Sequence, residues 1–460
     1  MRRLLLVLFA ATVALAPVPF GSKYDWAFSP LGGIVGVLLV GIAALAWLDR
    51  DWQRRAFVRF DTLLVPGVLF GLVVIWGLVQ LSGWTPAGWA TSISDSASLG
   101  LPETRQSIAF DSEQQWTALM RLLTYAGVFA LAAILSHSAS DARQILATIV
   151  IVAAAMTLYA MAAQAVNGQA RITGVAVWVP DVEFFTGTFM SSNHYATYCG
   201  IAALSALVLA FRPAGGQAAK ETARERWRRR IAVMTGLSGL WFALALVLCM
   251  GVVLSGSRGG AISLTIGLIA FAVFYVRGST RIVVVSLILL MVAAVVLLVP
   301  SGERLVTRMA KLFAQGESGR ELLFPMALTA IALRPLTGWG MNSFEQLYSV
   351  FQPPALNEYY DKVHNTYLEL AFDLGVPMAL ALVVAVGWIA GQCVVGFVTR
   401  RRDRELAGLG VFATALAGFH SLFDFSLQIP AVACCYFAIL GIAWSQSTSS
   451  QLVEERLSQS

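Results

Sequence analysis

The chain has 460 residues, of which 58% are hydrophobic and only 13% are charged, and its net charge is +6. Soluble domains average about 45–50% apolar and about 25% charged residues, so this composition excludes an ordinary soluble protein. Apolar runs of roughly 20 residues, long enough to cross a bilayer core as a helix, recur along the whole chain. The composition therefore predicts an all-α, polytopic membrane protein with about twelve transmembrane helices.

The predicted spans divide the chain into four parts. Spans one to nine with short loops occupy residues 1–300, a large polar loop occupies 301–364, spans ten to twelve occupy 365–446, and a tail occupies 447–460. The tenth span is long enough to begin outside the membrane. In chain order, the spans are predicted near Leu4–Phe20, Leu31–Leu48, Thr62–Ser82, Ala118–Ser136, Ile145–Val166, His194–Phe211, Ile231–Leu254, Ala261–Val276, Ile282–Val299, Asn365–Val398, Leu406–Phe425 and Pro430–Ser445.

Basic residues cluster in the loops after spans two, six and ten, for example at Arg50–Arg59, Arg212–Arg230 and Arg400–Arg404. Cytoplasmic loops of membrane proteins carry an excess of Lys and Arg. Both termini are therefore predicted to be cytoplasmic, with the opposite loops outside. The net positive charge then reflects topology, and no nucleic-acid partner is expected.

The outward segments include one loop that is long enough to fold. Within 301–364, the amphipathic stretch Glu321–Leu333 predicts a helix that lies on or near the outer surface and ends before Pro335. Gly338-Trp339-Gly340 and Pro353-Pro354 predict turns after it. The outward loop Trp84–Trp116 suggests no role.

Ionisable groups within or at the ends of membrane spans are costly to place and are therefore the first candidates for function. Those predicted at the outer ends are His194, Arg258, His364, Glu369, Asp373, His420 and Asp424. His420 and Asp424 are four residues apart and are predicted to share one helical face. His137 lies at the cytoplasmic end and is excluded. The inner halves of the spans carry no comparable chain of acids or histidines, which disfavours a proton-coupled transporter.

This set of residue types suits group transfer from a phosphorylated lipid. A guanidinium stays charged and can give bidentate hydrogen bonds to phosphate oxygens. A histidine can take a proton from an attacking hydroxyl near neutral pH. Arginines beside a departing lipid-linked diphosphate would stabilise the charge that grows in the transition state.

Structural roles remain open for the same residues. Arg258 could extend to lipid headgroups, and His194 could cap its helix together with Asn193. His420 and Asp424 could form a buried structural pair, and Glu369 could complement the N-terminus of span ten. Other candidates with ordinary alternatives are Arg320 and Arg334 as surface charges and His364 as a residue at a helix start.

Several short stretches between about Phe189 and Pro430 carry a family resemblance. They are Ser192–Ala196, Ser257–Gly260, Gly319-Arg320 with Gly338–Phe344, His364–Glu369 with Gly375, and His420–Phe425. Together they resemble the O-antigen ligase and polymerase family of bacterial membrane glycosyltransferases, and they follow the family's order. The first third of the chain resembles the family only in hydrophobicity.

The resemblance implies a GT-C-like helical enzyme of the bacterial inner membrane. Such an enzyme transfers a glycan from undecaprenyl diphosphate on the periplasmic face, without nucleotide sugar, cofactor or obligatory metal, and inverts the anomeric centre. It makes His364 the base for the acceptor hydroxyl and Arg258 and Arg320 the diphosphate ligands. The remaining residues expected around the substrate are His194, Asn365, Glu369 and Arg334, with His420 and Asp424 in support.

The resemblance leaves the acceptor open. A ligase of lipopolysaccharide biosynthesis, which uses lipid A-core, is favoured over a polymerase of O-antigen or exopolysaccharide, which uses a second lipid-linked glycan. Protein glycosylation is a further alternative within the family. A flippase or exporter of lipid-linked glycans and a non-enzymatic scaffold are the alternatives of other classes.

Overall fold

The computed structural model describes residues 1–57, 60–89, 107–167, 185–211, 236–275, 319–354, 359–400 and 402–447. These residues form fifteen α-helices joined by turns and short 3-10 segments, and no strand occurs among them. The predicted span Ile282–Val299, residues 301–318 of the large loop and most of the basic loop after span six lie outside the described residues. The helices are α1 (Arg2–Leu15), α2 (Asp25–Leu48), α3 (Arg50–Phe57), α4 (Leu64–Leu81), α5 (Ser112–Leu135), α6 (Ala139–Asn167), α7 (Ser192–Ala210), α8 (Leu237–Leu254), α9 (Arg258–Tyr275), α10 (Gly319–Leu333), α11 (Phe344–Phe351), α12 (Thr366–Leu374), α13 (Val376–Thr399), α14 (Arg404–His420) and α15 (Pro430–Ser445).

Six helical segments in the described part of the chain are long and apolar enough to cross a membrane. Three shorter apolar helices accompany them, at Arg258–Phe274, Leu322–Leu333 and Pro430–Ser445. The predicted all-helical membrane architecture is confirmed in this form, whereas the number of twelve spans stays a prediction. The six segments are Asp25–Leu48, Phe60–Leu81, Ser112–Leu135, Ala139–Ala165, Leu237–Leu254 and Val376–Thr399.

The helices at the outside of the bundle expose apolar side chains. On α2, Val37 is 71% exposed, and Val68 on α4 and Val395 on α13 are also exposed. Soluble proteins rarely expose such continuous apolar surface, which marks contact with lipid here.

Basic side chains gather at one end of the bundle, called the basic end. There Arg2 at the start of α1 contacts Asp141 at the start of α6, and Arg400 after α13 donates to the carbonyl of Gln446 after α15. Arg143 pairs with Asp403 and, at 2.8 Å, with the buried Glu405. The opposite end, called the histidine end, holds His194, His364, His420 and Asp424.

Helix α7 lies at the centre of the bundle. Every residue from His194 to Ala210 is buried, and α7 contacts α6, α8, α9 and α14. Glycine lets α9 approach it closely, since a Cβ added at Gly260 would lie 2.4 Å from the Cβ of Ala196. The first turn of α9 is therefore held against the first turns of α7.

The predicted tenth span, Asn365–Val398, is wrong as a single helix. It is broken at Gly375, whose φ of 79° lies in the left-handed region, and the two parts are α12 and α13. The break leaves room for the preceding turn, because a Cβ at Gly375 would lie 2.4 Å from the carbonyl oxygen of Leu336. Val376 then donates its N–H to Pro335 at 2.8 Å.

The eleventh span is shorter than the predicted Leu406–Phe425. Helix α14 ends at His420, and a turn follows that contains Asp424. Thr366 fixes this turn, since its N–H donates to Ser421 at 2.9 Å and its Oγ1 donates to the carbonyl of Asp424 at 3.0 Å. The prediction that His420 and Asp424 share a helical face is therefore wrong.

The helix predicted at Glu321–Leu333 is confirmed as α10. It packs with α11 and α12 around a small core that includes Leu323, Ala327, Phe344 and Phe372. The described part of the large loop thus has its own core and rests on the helix that follows His364.

The turn after α10 is expected to tolerate no side chain at Gly338. Its φ is 64°, and an added Cβ would lie 2.4 Å from the backbone oxygen of Asp373, which cannot move aside. Gly338→Ala should cost at least about 2 kcal/mol of folding free energy and lower the apparent melting temperature in detergent. Gly387→Ala on α13 is the matched control, because nothing lies within 4 Å of its added Cβ. Equal melting temperatures for the two variants would contradict this packing.

Candidate active site

A buried carboxylate, Asp424, lies at the centre of the candidate site, and its side chain is 1% exposed. Its Oδ1 accepts a hydrogen bond from Asn193 Nδ2 at 3.0 Å and lies 3.6 Å from His364 Nδ1. Its Oδ2 accepts one from the Ser426 hydroxyl and lies 3.8 Å from His194 Nε2. Asp424 thus joins the start of α7, the residue before α12 and the turn after α14.

Asp424 stays ionised in this setting. Burial by itself would raise the pKa of its carboxyl group, but the nearby imidazoles of His364, His194 and His420 and the Ser426 hydroxyl hold the pKa well below its usual range. A buried carboxylate of this kind stabilises positive charge on a neighbouring imidazole.

His364 is the more accessible of the two imidazoles that face Asp424. Its side chain is 14% exposed, against 3% for His194. The ring of Phe425 packs edge-on against both imidazoles, at 5.0 Å from His364 and 4.8 Å from His194. Because Nδ1 of His364 faces the carboxylate, Nε2 lies on the opposite edge of the ring. This is the arrangement of a base whose orientation is set by a carboxylate.

The contacts of 3.6 and 3.8 Å are longer than hydrogen bonds, and neither His364 Nδ1 nor His194 Nε2 has a hydrogen-bond partner. The interaction of the two imidazoles with Asp424 is therefore electrostatic.

The short turn between α8 and α9 places Arg258 beside this cluster. Ser257 Oγ donates to Asn193 Oδ1 at 2.7 Å and accepts the N–H of Gly260 at 3.0 Å. A Cβ added at Gly259 would lie 2.9 Å from His420 Nε2. Arg258 is the half-buried first residue of α9, and its backbone therefore lies between Asn193 and His420. A guanidinium at a helix N-terminus favours an anion there.

His420 lies on another side of the cluster. It is 1% exposed, and its Nδ1 shares a hydrogen bond with the hydroxyl of Thr197 on α7. It supports the packing of α14 and α9 against α7, close enough to Asp424 to act on it electrostatically.

The structure places the other predicted residues around or away from His364. Asn365 caps α12 by accepting the N–H groups of Tyr367 and Leu368 at 3.0 and 3.1 Å. Glu369 is buried and pairs with Lys362 at 2.9 Å. The side chain of Arg320 lies outside the described residues.

Arg334 contacts Trp89, in the outward loop for which the sequence suggested no role. Its guanidinium lies over the ring of Trp339 at 4.4 Å and donates to the carbonyl of Trp89 at 2.9 Å. It therefore ties the turn after α10 to the segment after α4.

Sequence reasoning missed two polar residues of the cluster and one lysine near it. Asn193 and Ser426 both bind Asp424, and only Asn193 stood in a quoted motif. Lys23, after α1, lies 3.4 Å from Asp361 Oδ2 and within electrostatic range of His194. The sequence signal for Lys23 was its position, since it is a basic residue at the outer end of a predicted span. Within the described ranges, no group of three or more His, Cys, Asp or Glu residues could hold a metal ion.

Residues 242–383 match the O-antigen ligase family model, which covers roughly a third of the chain. The matched segment runs from α8 into α13 and includes Arg258, His364 and Glu369. The resemblance to the O-antigen ligase and polymerase family is thereby confirmed for this segment. His194, His420 and Asp424 lie outside it. No curated protein matches the chain.

Asp424 is expected to stabilise the fold as well as orient His364. Its folded-state pKa lies below the unfolded value of about 3.9, so its charge stabilises the fold above that pH, and the contribution is lost as the pH falls below it. Asp424→Asn should cost about 3 kcal/mol at pH 7, and the difference in melting temperature from wild type should narrow below about pH 4.

Asp25→Asn is the control for this prediction. Asp25 also pairs with a cation, Arg121 at 3.2 Å, but its side chain is 70% exposed. Exposed pairs contribute little, so this variant should unfold as wild type does. A difference in melting temperature between wild type and Asp424→Asn that does not vary with pH would contradict the assigned charge on Asp424.

Proposed function

We propose that this O-antigen ligase-like membrane enzyme is a glycosyltransferase that moves a glycan from undecaprenyl diphosphate to an acceptor hydroxyl. The observation that carries the proposal is His364, which belongs to the family-matched segment and faces the buried carboxylate of Asp424. Asp424 is linked in turn through Asn193 to Ser257, the residue before Arg258. A base and a cation at one end of an apolar bundle suit a substrate whose lipid lies in the membrane.

The proposed reaction is a single displacement at the anomeric carbon of the donor. His364 Nε2 takes the proton of the acceptor hydroxyl while its oxygen forms the new bond to the anomeric carbon. The bond from that carbon to the diphosphate oxygen breaks, and its electron pair leaves with undecaprenyl diphosphate. Attack opposite the leaving group inverts the anomeric centre. The proposed transfer uses no cofactor and no metal ion.

Two kinds of residue support the charges that develop. Asp424, 3.6 Å from His364 Nδ1, stabilises the imidazolium that forms. Arg258, with Arg320 as the second proposed ligand, stabilises the departing diphosphate, whose charge grows in the transition state. His194, 3.8 Å from the same carboxylate, is proposed to lie next to the bound substrate. His420 is proposed to support the site through its hydrogen bond with Thr197.

The distribution of charge and aromatic rings supports a periplasmic site in the bacterial inner membrane. Basic residues gather at the end opposite His364, which the positive-inside rule assigns to the cytoplasm together with both termini. Exposed tryptophans lie near both ends, Trp26 and Trp116 at the histidine end and Trp47 at the basic end. Such rings anchor helices at the two membrane surfaces. A GT-C-like arrangement of about twelve spans belongs to the same proposal.

The proposed acceptor is lipid A-core, which makes the enzyme a ligase of lipopolysaccharide biosynthesis. The ligase description of the matched family supports this choice. An O-antigen or exopolysaccharide polymerase, with a second lipid-linked glycan as acceptor, would use the same base and cations.

His364→Ala is expected to lower the transfer rate by at least about a hundredfold, since the variant lacks the general base. The measurement is product formation by purified protein in nanodiscs with undecaprenyl-diphosphate glycan and lipid A-core. Donor binding, followed by tryptophan fluorescence, should be retained. His137→Ala, at the basic end of the bundle, is the matched histidine control and should transfer at the wild-type rate.

A wild-type rate for His364→Ala would remove the base from this proposal. Movement of labelled donor across the membrane of proteoliposomes, with no product formed when acceptor is present, would instead support a flippase. No transfer by the purified wild-type protein, together with glycan assembly in cells that tolerates substitution of both His364 and Arg258, would support a non-enzymatic scaffold.

The product size distribution is expected to show one discrete addition to lipid A-core. A ligase adds one preassembled glycan to each acceptor, whereas a polymerase extends its product repeatedly. The measurement is gel separation of products after donor is incubated with lipid A-core or with a second lipid-linked glycan. A ladder formed from donor alone would assign polymerase activity.

A further inference from the structure

Glu369 is a buried carboxylate just behind the proposed base. It is 1% exposed, its Oε2 accepts the backbone N–H of Val363 at 3.2 Å, and its Oε1 lies 2.9 Å from Lys362 Nζ. Both partners come immediately before His364 in the chain. Burying an ion pair costs much of the free energy that the pair returns, so such a pair is weak support for stability by itself.

His364 needs support of this kind because its backbone is strained. Its φ is 57°, in the left-handed region that residues with a side chain seldom adopt. Such a conformation persists only where the surrounding structure fixes it. The imidazole reaches Asp424 from this backbone position, so a relaxed backbone would turn the ring away.

The chain is held on both sides of His364. After it, Asn365 caps α12, and Thr366 bonds to the carbonyls of Ser421 and Asp424. Before it, Val363 is held by Glu369. The carboxylate therefore supplies the restraint on the N-terminal side of the strained residue.

Lys362 carries this restraint into the large loop. Its ammonium group donates to Asn342 Oδ1, and the N–H of Asn342 donates to Asp373 Oδ2 at 2.9 Å. Burial alone would lower the pKa of Lys362, but Glu369 and Asp373 raise it above its usual value, so the lysine stays charged. Asp373, at the far end of α12, has its pKa raised to about 8 by burial and by Glu369.

We propose that Glu369, with Lys362 as its counterion, is a positioning residue that holds His364 in its strained, base-competent conformation. This inference rests on the proposed role of His364 as the base. It assigns Glu369 a place behind the base, whereas the sequence had suggested a substrate contact.

The test compares kcat and the donor KM of Glu369→Ala, Glu369→Gln and Glu405→Ala in the nanodisc assay. Glu369→Ala should lower kcat by about a hundredfold, because displacement of a reacting group by about 1 Å costs this much, while the donor KM changes by less than about twofold. Glu369→Gln keeps an oxygen that can accept the Val363 N–H and should recover about tenfold of the loss, since one hydrogen bond corresponds to roughly that factor in rate.

Glu405→Ala is the matched control for lost stability. Glu405 is also 1% exposed and also forms an ion pair, with Arg143 at 2.8 Å, but at the basic end of the bundle. It should lower the melting temperature by as much as Glu369→Ala and leave kcat unchanged. An equal loss of kcat in both variants would overturn the inference, because the effect would then follow stability alone.

Three further outcomes are decisive. A raised donor KM with an unchanged kcat in Glu369→Ala would assign a substrate contact and overturn the positioning role. If His364→Ala is inactive and Glu369→Ala fully active, only this inference fails. If His364→Ala is fully active, the proposed base itself fails, whatever the Glu369 variants do.

Discussion

The contact between the ionised carboxylate of Asp424 and the two imidazoles of His364 and His194 organises the histidine end of the bundle. A charge with 1% exposure must be compensated by its surroundings. Asn193 supplies one hydrogen bond from α7 and Ser426 another from the turn after α14. Ser257 links the same asparagine to the start of α9. The elements that bring these groups together also carry the proposed base, His364, and Arg258.

The described part of the large loop packs against the bundle at this end. Gly338 and Gly375 let the turn after α10 touch the backbone at the junction of α12 and α13, where Gly340 donates its N–H to Asp373 at 3.0 Å. Glu369 and Lys362 continue the connection to His364. A molecule bound to this loop would therefore be coupled to His364, the proposed base, through hydrogen-bonded backbone.

Apolar runs and motifs predicted much of this arrangement from the sequence. The span Pro430–Ser445 has the predicted bounds, and His364 lies two residues before α12, close to the helix start that was its structural alternative. The break at Gly375 was not predictable from helical periodicity, because it depends on a turn about forty residues earlier. The end of α14 at His420 depends likewise on hydrogen bonds from Thr366. The partners of Glu369 also needed the fold, since no spacing rule pairs a helix residue with the N–H six positions before it.

The central position of α7 has a consequence for how the protein is made. At 19 residues it is long enough to span, yet it is not among the six helical segments in the described ranges that are apolar enough to do so alone. From His194 onward, its side chains, including two tyrosines and one threonine, are buried against protein, so contact with lipid does not constrain its composition. For a helix of this kind, transfer from the translocation channel into lipid without neighbouring helices releases little free energy. Its insertion should therefore depend on neighbours synthesised before it, such as α6, and be completed only when α14 and α15 arrive.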